Sequence, residues 1–375
     1  METLLQLTRC RQPVRPSESS TVLTGDRPEK VRKINMATNK TDVYQIVTDR
    51  ILAELDKGVI PWRKPWVGLR VEWEGRKTHT ETSTITRRMA YSRSTGKPYS
   101  LLNQLLLGKP GEWASFKQIQ EAGGRVKKGE QASICVFWKF LEKDIIDPKT
   151  GKPEVDPKTG AKLIESIPML RYYNVFHIES QCEGIEPKKR KGNPGEETVT
   201  TTRTIVDNPG TCKTKTEADW EAIEEADEVV RAYLAGSGVT LTEEPGSDRA
   251  FYRPSTDSVT VPCRAQFKSR SEFYSTEFHE LVHSTGHKSR LDRFSTPGDH
   301  TFGGEEYSKE ELVAEIGAAC LCNIFEIETE SSFKNSASYI AGWSSKLRED
   351  RKMIVSASSR AEKAVNLILA GGVMA

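Results

Sequence analysis

Residues 271–293 read SEFYSTEFHELVHSTGHKSRLDR, and inside them His279, Glu280, Leu281, Val282 and His283 set two histidines four positions apart with a glutamate after the first. On a helix, residues four apart lie on one face, so both imidazoles can reach a single tetrahedral zinc ion. Glu280 then points at the open coordination position, where it would serve as general base toward water. The flanks agree with a helix: Ser271 offers an N-cap, Phe273, Phe278, Leu281 and Val282 supply the apolar side, and Gly286 stops it just past the second histidine. Four of the six histidines, at 279, 283, 287 and 300, fall in or beside this stretch, which weighs against a surface helix with two chance histidines.

Two histidines leave a third protein ligand to be found. The metzincin arrangement asks for one at the eleventh position of the motif, which is Ser289, and His287 comes two residues early on the helix-ending turn. The gluzincin solution is a glutamate from a later helix, and the apolar stretch from Glu311 to Ala318 supplies Glu311 as third ligand. One turn on, Glu315 could accept the free ring N–H of a ligating histidine and fix its tautomer. A structural reading competes, because Ser308 and Glu311 also spell a capping box. An acid at 315 amid Leu312, Val313 and Ile316 calls for a polar partner inside the fold, which favours the ligand reading, with His300 and Asp299 as substitutes.

Ahead of the motif, residues 251–262 (FYRPSTDSVTVP) read as two extended pieces around a Pro-Ser-Thr-Asp turn, a hairpin. Residues 258–261 are the natural open edge for an extended peptide beside the metal helix, or an ordinary edge strand.

With 375 residues, 36% hydrophobic and 29% charged, the chain is long enough for two soluble globular domains. No apolar run approaches the length of a membrane span and residues 1–20 lack a signal-peptide core, so a cytoplasmic location with no membrane partner is expected. Seven cysteines, at 10, 135, 182, 212, 263, 320 and 322, form no CxxC pair and are odd in number, which fits reduced thiols, with Cys320 and Cys322 packed in a helix. The net charge of +2 hides an asymmetry: residues 76–139 carry 12 Lys/Arg against 4 Asp/Glu, whereas residues 215–375 carry 18 against 27. The basic half is the one suited to polyanions.

Residues 1–36 are polar and aperiodic, hence expected to be disordered, with Met36 a candidate start. Residues 41–57 predict an amphipathic helix carrying Tyr44, Val47, Ile51 and Leu55, followed by Pro61-Trp62-Arg63-Lys64-Pro65-Trp66. Ser115 and Gln118 predict a capping box for a helix ending at Gly123, and residues 134–141 a buried strand. Asp147-Pro148-Lys149-Thr150-Gly151 is echoed by Asp156-Pro157-Lys158-Thr159-Gly160, a duplicated turn within one long hairpin that resumes at 168–178. Residues 182–215, rich in Gly, Pro, Lys, Glu and Thr, read as a flexible linker, and Thr216 as the start of a helix ending at Gly236.

In the basic half Arg87, Arg88, Arg93, Lys97, Lys117, Arg125, Lys127 and Lys128 interleave with Tyr91, Tyr99, Trp113, Phe116, Phe137 and Trp138. A groove for single strands needs this mixture, cations for phosphates and aromatic faces for unpaired bases; a solvated charged face over core aromatics is the competing reading.

One family unites the two halves. Asp42-Val43-Tyr44, Pro61-Trp62 with Pro65-Trp66, residues 94–99 (STGKPY) with Asn103, residues 113–118 (WASFKQ), residues 123–130 (GGRVKKGE) and residues 173–176 (YNVF) resemble the N-terminal single-stranded-DNA-binding domain of ArdC-type antirestriction proteins. Residues 278–287 (FHELVHSTGH), Arg290-Leu291 and residues 310–318 (EELVAEIGA) resemble that family's zincin-like domain. The match departs at residues 89–92 (MAYS) and in lacking a glycine before Asn103. The resemblance implies a mobile-element or plasmid protein that binds single-stranded DNA and protects incoming DNA, with host restriction-enzyme subunits or another DNA-bound protein as possible partners.

The expectation is an α+β protein: an extension at 1–36, a mixed α/β single-stranded-DNA-binding domain at 37–181, a linker at 182–215, and a gluzincin-like metallopeptidase domain at 216–375 holding one Zn2+. Arg87, Arg88, Arg93, Lys97, Tyr99, Trp113, Lys117, Lys127 and Lys128 are the expected nucleic-acid contacts. Hydrolysis of a DNA-bound protein, occlusion of DNA around a structural zinc, and an accessory role in plasmid replication all fit these residues.

Overall fold

Val43, Val47, Ile51 and Leu55 recur on one side of a helical pattern and the Asp42 side chain accepts from the Tyr44 amide at 3.0 Å, so the first described element is an N-capped helix, α1 (Val43–Leu55). The computed structural model describes residues 42–63, 68–77, 80–189, 196–204, 220–295, 305–327 and 337–373, with the backbone alone for residues 68–77, 80–88, 196–204, 305 and 337. The extension at 1–36, Pro65 and Trp66, Thr216, Asp299 and His300 lie outside the described residues.

Strands β1 (Gly68–Lys77) and β2 (Thr80–Arg88) form a hairpin, β3 (Ala90–Ser92) follows, and helix α2 (Leu101–Leu107) ends at Gly108, whose φ of 64° is left-handed. Two buried amides on α2 knit the domain. Asn103 bonds both the carbonyl (2.9 Å) and the amide (2.8 Å) of Val136, while Gln104 does the same for Ala90 at 2.9 and 2.8 Å. Next come β4 (Gly111–Ala114), helix α3 (Phe116–Glu121) behind the expected Ser115/Gln118 capping box, and β5 (Arg125–Val126). The long strands β6 (Ser133–Asp144) and β7 (Ile164–His177) are followed by helix α4 (Ile178–Gln181), β8 (Cys182–Glu183) and β9 (Glu196–Thr204).

Three sheets result: β1-β2-β9, β3-β4-β7-β6 and β5-β8. The linker expected at 182–215 is thus partly ordered, since β9 pairs antiparallel along all of β2. Its run of threonines with Val199 is β-branched and fits an extended ladder, a preference that the glycines and lysines around it mask in composition. On β6 only Ile134, Cys135 and Val136 are buried, and the strand expected to be buried throughout is exposed from Phe137 to Lys143, because the β6–β7 ribbon runs out past the helices that cover its base. At its tip the duplicated motif makes two successive turns, with Gly151 donating to Asp147 and Gly160 to Asp156, both at 2.8 Å.

The second half begins with α5 (Glu224–Ser237), which starts at Glu224 and not at Thr216 as read from sequence; Glu224, Glu225 and Asp227 fill its first turn, where acids favour the helix dipole. Then come β10 (Thr240–Glu244), β11 (Phe251–Arg253), β12 (Ser258–Pro262), α6 (Arg270–Ser284), α7 (Glu305–Ile324), α8 (Ala337–Glu349) and α9 (Met353–Leu369). The expected hairpin forms, but β12 is central, parallel to β10 and antiparallel to β11. The edge expected at 258–261 is therefore occupied, and β10 and β11 are the edge strands, with β11 the one bordering the cleft of His279 and Glu280.

One apolar cluster runs through both halves, from Val43 on α1 to Leu369 on α9. Trp62, fully buried, meets the Trp343 ring edge-on at 6.3 Å, Thr48 donates to the Arg351 carbonyl at 2.9 Å, and Glu362 accepts from the Leu101 amide at 3.0 Å. No described helix is long and apolar enough to cross a membrane. The described cysteines, at 135, 182, 263, 320 and 322, are all buried.

Candidate metal centre

Helix α6 is capped by Ser269, whose side chain accepts from the Glu272 amide at 3.2 Å, two residues earlier than the expected cap at Ser271. Phe273, Tyr274, Phe278, Leu281 and Val282 are fully buried, which fixes the rotation of the helix about its axis. The face left over carries His279, Glu280 and His283 into a cleft.

Helix α7 lies against α6 through Gly317, where an added Cβ would sit 2.8 Å from Val282 Cγ2. This close approach brings Glu311 to the histidines. His279 Nε2 is 3.1 Å from His283 Nε2, Glu311 Oε1 is 3.4 Å from His283 Nε2, and Glu311 Oε2 is 3.5 Å from His279 Nε2. Ligand atoms about 2.0–2.1 Å from a tetrahedral ion stand about 3.4 Å apart, so the donor set and its spacing fit a divalent metal. Among the described residues this is the one such group. The competing capping box does not form, because α7 already begins at Glu305 and Ser308 lies within it.

Burial alone would raise the Glu311 carboxyl, but hydrogen bonds from His279 and His283 outweigh it and hold Glu311 well below the usual carboxylate range. Burial would likewise lower His283, yet Glu310 and Glu311 raise it. Glu280 is 6% exposed and burial pushes its carboxyl up, against the two histidines and a hydrogen bond from the Tyr252 amide of β11. The Tyr307 hydroxyl, one turn before Glu311, hydrogen-bonds the Glu311 carboxylate.

The carboxylate behind the two histidines is Glu310, not Glu315. His283 Nδ1 lies 3.3 Å from Glu310 Oε1, and Arg293 locks that carboxylate with bonds of 2.6 and 2.9 Å while also reaching the Val282 carbonyl at 2.8 Å. Glu315, a full turn further along α7, is carried away from the imidazoles and pairs with Arg63 at 3.4 Å. Glu310, Arg293, Tyr252 and Tyr307 were not singled out by sequence; the acid adjoining Glu311 was the available signal for the first. His287 stands apart from this group, bonded to Ser289 Oγ at 2.7 Å. Past it, Arg290 clamps Asp257, whose φ of 48° turns the β11–β12 hairpin, and so ties that hairpin to the end of α6.

Two recesses meet at the centre. One, of about 450 Å³, runs along β11 past Phe294 and Tyr307; the other, of about 360 Å³, continues toward Phe267, Ala319 and Arg63. His279, Glu280 and Glu311 line both.

The expected nucleic-acid residues scatter. Lys97, Lys117 and Lys128 are exposed, Lys127 bonds the Ser180 carbonyl at 2.8 Å, and half-buried Tyr99 accepts from the Tyr173 hydroxyl at 3.5 Å. Arg93 is only 7% exposed and pairs with Glu112, which is fully buried, so it braces the fold; Trp113, 2% exposed, faces the His177 ring at 5.1 Å and presents no surface for stacking. Composition cannot distinguish a buried aromatic from a platform. Arg87 and Arg88 pair through their backbones with Glu197 and Glu196, and their side chains lie outside the described ones. Exposed aromatics are instead found on the ribbon, where Phe137 and Tyr173 lie 5.7 Å apart.

A helix carrying His-Glu-x-x-His defines the zincin class, and residues 228–360 match the family of zincin-like metallopeptidases. Residues 41–176 match the N-terminal domain of anti-restriction factor ArdC. The chain is an ArdC-type protein, with the ArdC N-terminal domain ahead of the zincin-like one. The metal-free crystal structure of antirestriction protein ArdC from plasmid R388 superposes with a TM-score of 0.56 at 29% identity, covering 88% of this chain and 98% of that one; an Mn(II)-bound structure of the same protein gives 0.55. DNA primase TraC of Escherichia coli is 33% identical over 344 residues, 89% of this chain, and the chain spans only 28% of that primase's length. The uncharacterized protein y4eC of Sinorhizobium fredii is 29% identical over 331 residues, covering 86% of this chain and 90% of its own.

Proposed function

We propose that this protein binds single-stranded DNA through its N-terminal half and carries a zinc peptidase centre that acts on a protein at that DNA, protecting DNA of a mobile element from restriction in the cytoplasm. The observation that carries the reading is the convergence of His279, His283 and Glu311 beside buried Glu280, in a cleft bordered by the open strand β11. Zinc held by these three residues would supply a Lewis acid for a carbonyl and lower the pKa of water. Glu280, held in position by the Tyr252 amide, would accept a proton from water, and Glu310 would orient His283. An extended peptide would add to β11 by backbone hydrogen bonds. Arg87, Arg88, Lys97, Tyr99, Lys117, Lys127 and Lys128 remain the proposed DNA contacts, and 37–181 and 216–375 the proposed domains on either side of 182–215.

The test is incubation of zinc-loaded protein with restriction subunits, with and without single-stranded DNA, followed by gel analysis of the subunits and by a transformation assay. Glu280→Gln should abolish both cleavage and protection. Protection that survives Glu280→Gln leaves occlusion of DNA as the mechanism. The likeness to a stretch of the TraC primases favours a replication accessory as second reading, which stimulation of primer synthesis by the full chain would support.

A further inference from the structure

The second recess begins at the same His279, Glu280 and Glu311 as the first, and it leads between α6 and α7 to Arg63 of the N-terminal half. Its walls are mainly carbon: Pro262, Phe267, Ala318, Ala319 and Cys322. The hydroxyls on its α6 side donate into their own helix, Ser275 and Thr276 both to the Glu272 carbonyl at 3.2 and 2.8 Å. At the floor Arg63 is paired with Glu315 at 3.4 Å and lies over the Tyr339 ring at 4.7 Å. A volume of about 360 Å³ is roomy enough for an aromatic or long aliphatic side chain.

Resting on the peptidase reading above, we propose that this recess is the specificity pocket for a peptide laid along β11, and that it takes a large apolar side chain adjoining the bond held beside Glu280. Carbon walls reward apolar area, which a large apolar side chain buries and a glycine or a short acid does not. Arg63 makes the DNA-binding half a part of the pocket, so substrate choice depends on both halves of the chain.

The experiment uses the zinc-loaded full chain and hydroxamates, which ligate zinc without turnover. Acetohydroxamate sets the baseline, and peptide hydroxamates that differ only in the side chain next to the zinc-binding group (Gly, Leu, Phe, Asp) report the pocket by calorimetry. Leu and Phe should bind at least about tenfold more tightly than Gly or Asp. Ala319→Leu, which narrows the recess, should bring the Leu-to-Gly ratio toward one, and Phe267→Ala, which widens it, should shift preference toward a naphthylmethyl side chain. Equal affinity for Gly and Leu compounds with acetohydroxamate still bound overturns the pocket and leaves the zinc centre standing. An unchanged ratio in both folded variants also overturns it. Failure of acetohydroxamate itself to bind overturns the centre and the pocket together.

Discussion

An alanine methyl at Gly317 would stand 2.8 Å from Cγ2 of Val282, closer than carbon atoms pack, so the spacing between α6 and α7 depends on that hydrogen. The same spacing sets the distance from Glu311 to the two histidines. Gly317→Ala should cost about 1–3 kcal/mol of stability and weaken zinc binding, read by thermal denaturation and metal titration. Val282→Ala in the same chain makes room and should recover part of both losses, a coupling that a double-mutant cycle measures. Additive losses would mean that the two residues do not set the helix spacing.

Glu310 holds His283 on one side and Arg293 on the other. Glu310→Ala should lower zinc affinity by about 10–100-fold while keeping all three ligands. Wild-type affinity in that variant would remove Glu310 from the support of the centre.

Glu277 is fully buried on α6, with neither carboxylate oxygen hydrogen-bonded. Burial pushes its carboxyl up to about 8, against the pull of Arg264. The folded state thus prefers the neutral form: the favourable contribution is complete below the unfolded value of about 4.3 and is lost as pH rises toward 8. Glu277→Gln lacks this dependence, so its stability relative to wild type should grow between pH 5 and pH 8, by up to about 1.4 kcal/mol per pH unit. Urea titrations at the two pH values check it, and an equal difference at both would contradict it.

For DNA, Lys117→Ala and Lys128→Ala should each flatten the dependence of log affinity on log salt by about 0.7, measured by anisotropy with a labelled single strand. Trp113→Ala should instead destabilise the fold by about 3–5 kcal/mol, since the ring is in the core. A folded Trp113→Ala protein with selectively weakened binding would reverse that assignment.

Local chemistry was the readable part of this chain. His279, Glu280 and His283 sit within one helical turn, so spacing alone aims them, and Glu311 stood out as an acid on an apolar stretch. Glu310 was hidden because choosing it over Glu315 depends on where an imidazole Nδ1 points after two helices pack. The central place of β12 rests on its parallel pairing with β10, which has no local signature. Likewise, the shared core of α1 with α8 and α9 joins residues some 300 positions apart, and a composition break near 182–215 says nothing of such contacts. Arg93 and Trp113 were read correctly as a cation and an aromatic in a basic half, but pairing with Glu112 and packing on His177 decide what they do.

Zinc titration by calorimetry, with metal analysis of the dialysed protein, tests the centre most directly across wild type, His279→Ala, His283→Ala, Glu311→Ala and Glu280→Gln. The geometry predicts one equivalent in wild type and in Glu280→Gln, because a base is not a ligand, and lost or much weaker binding in the other three. Full-affinity zinc in Glu311→Ala, or no zinc in wild type, would contradict the assignment of His279, His283 and Glu311 as the metal site.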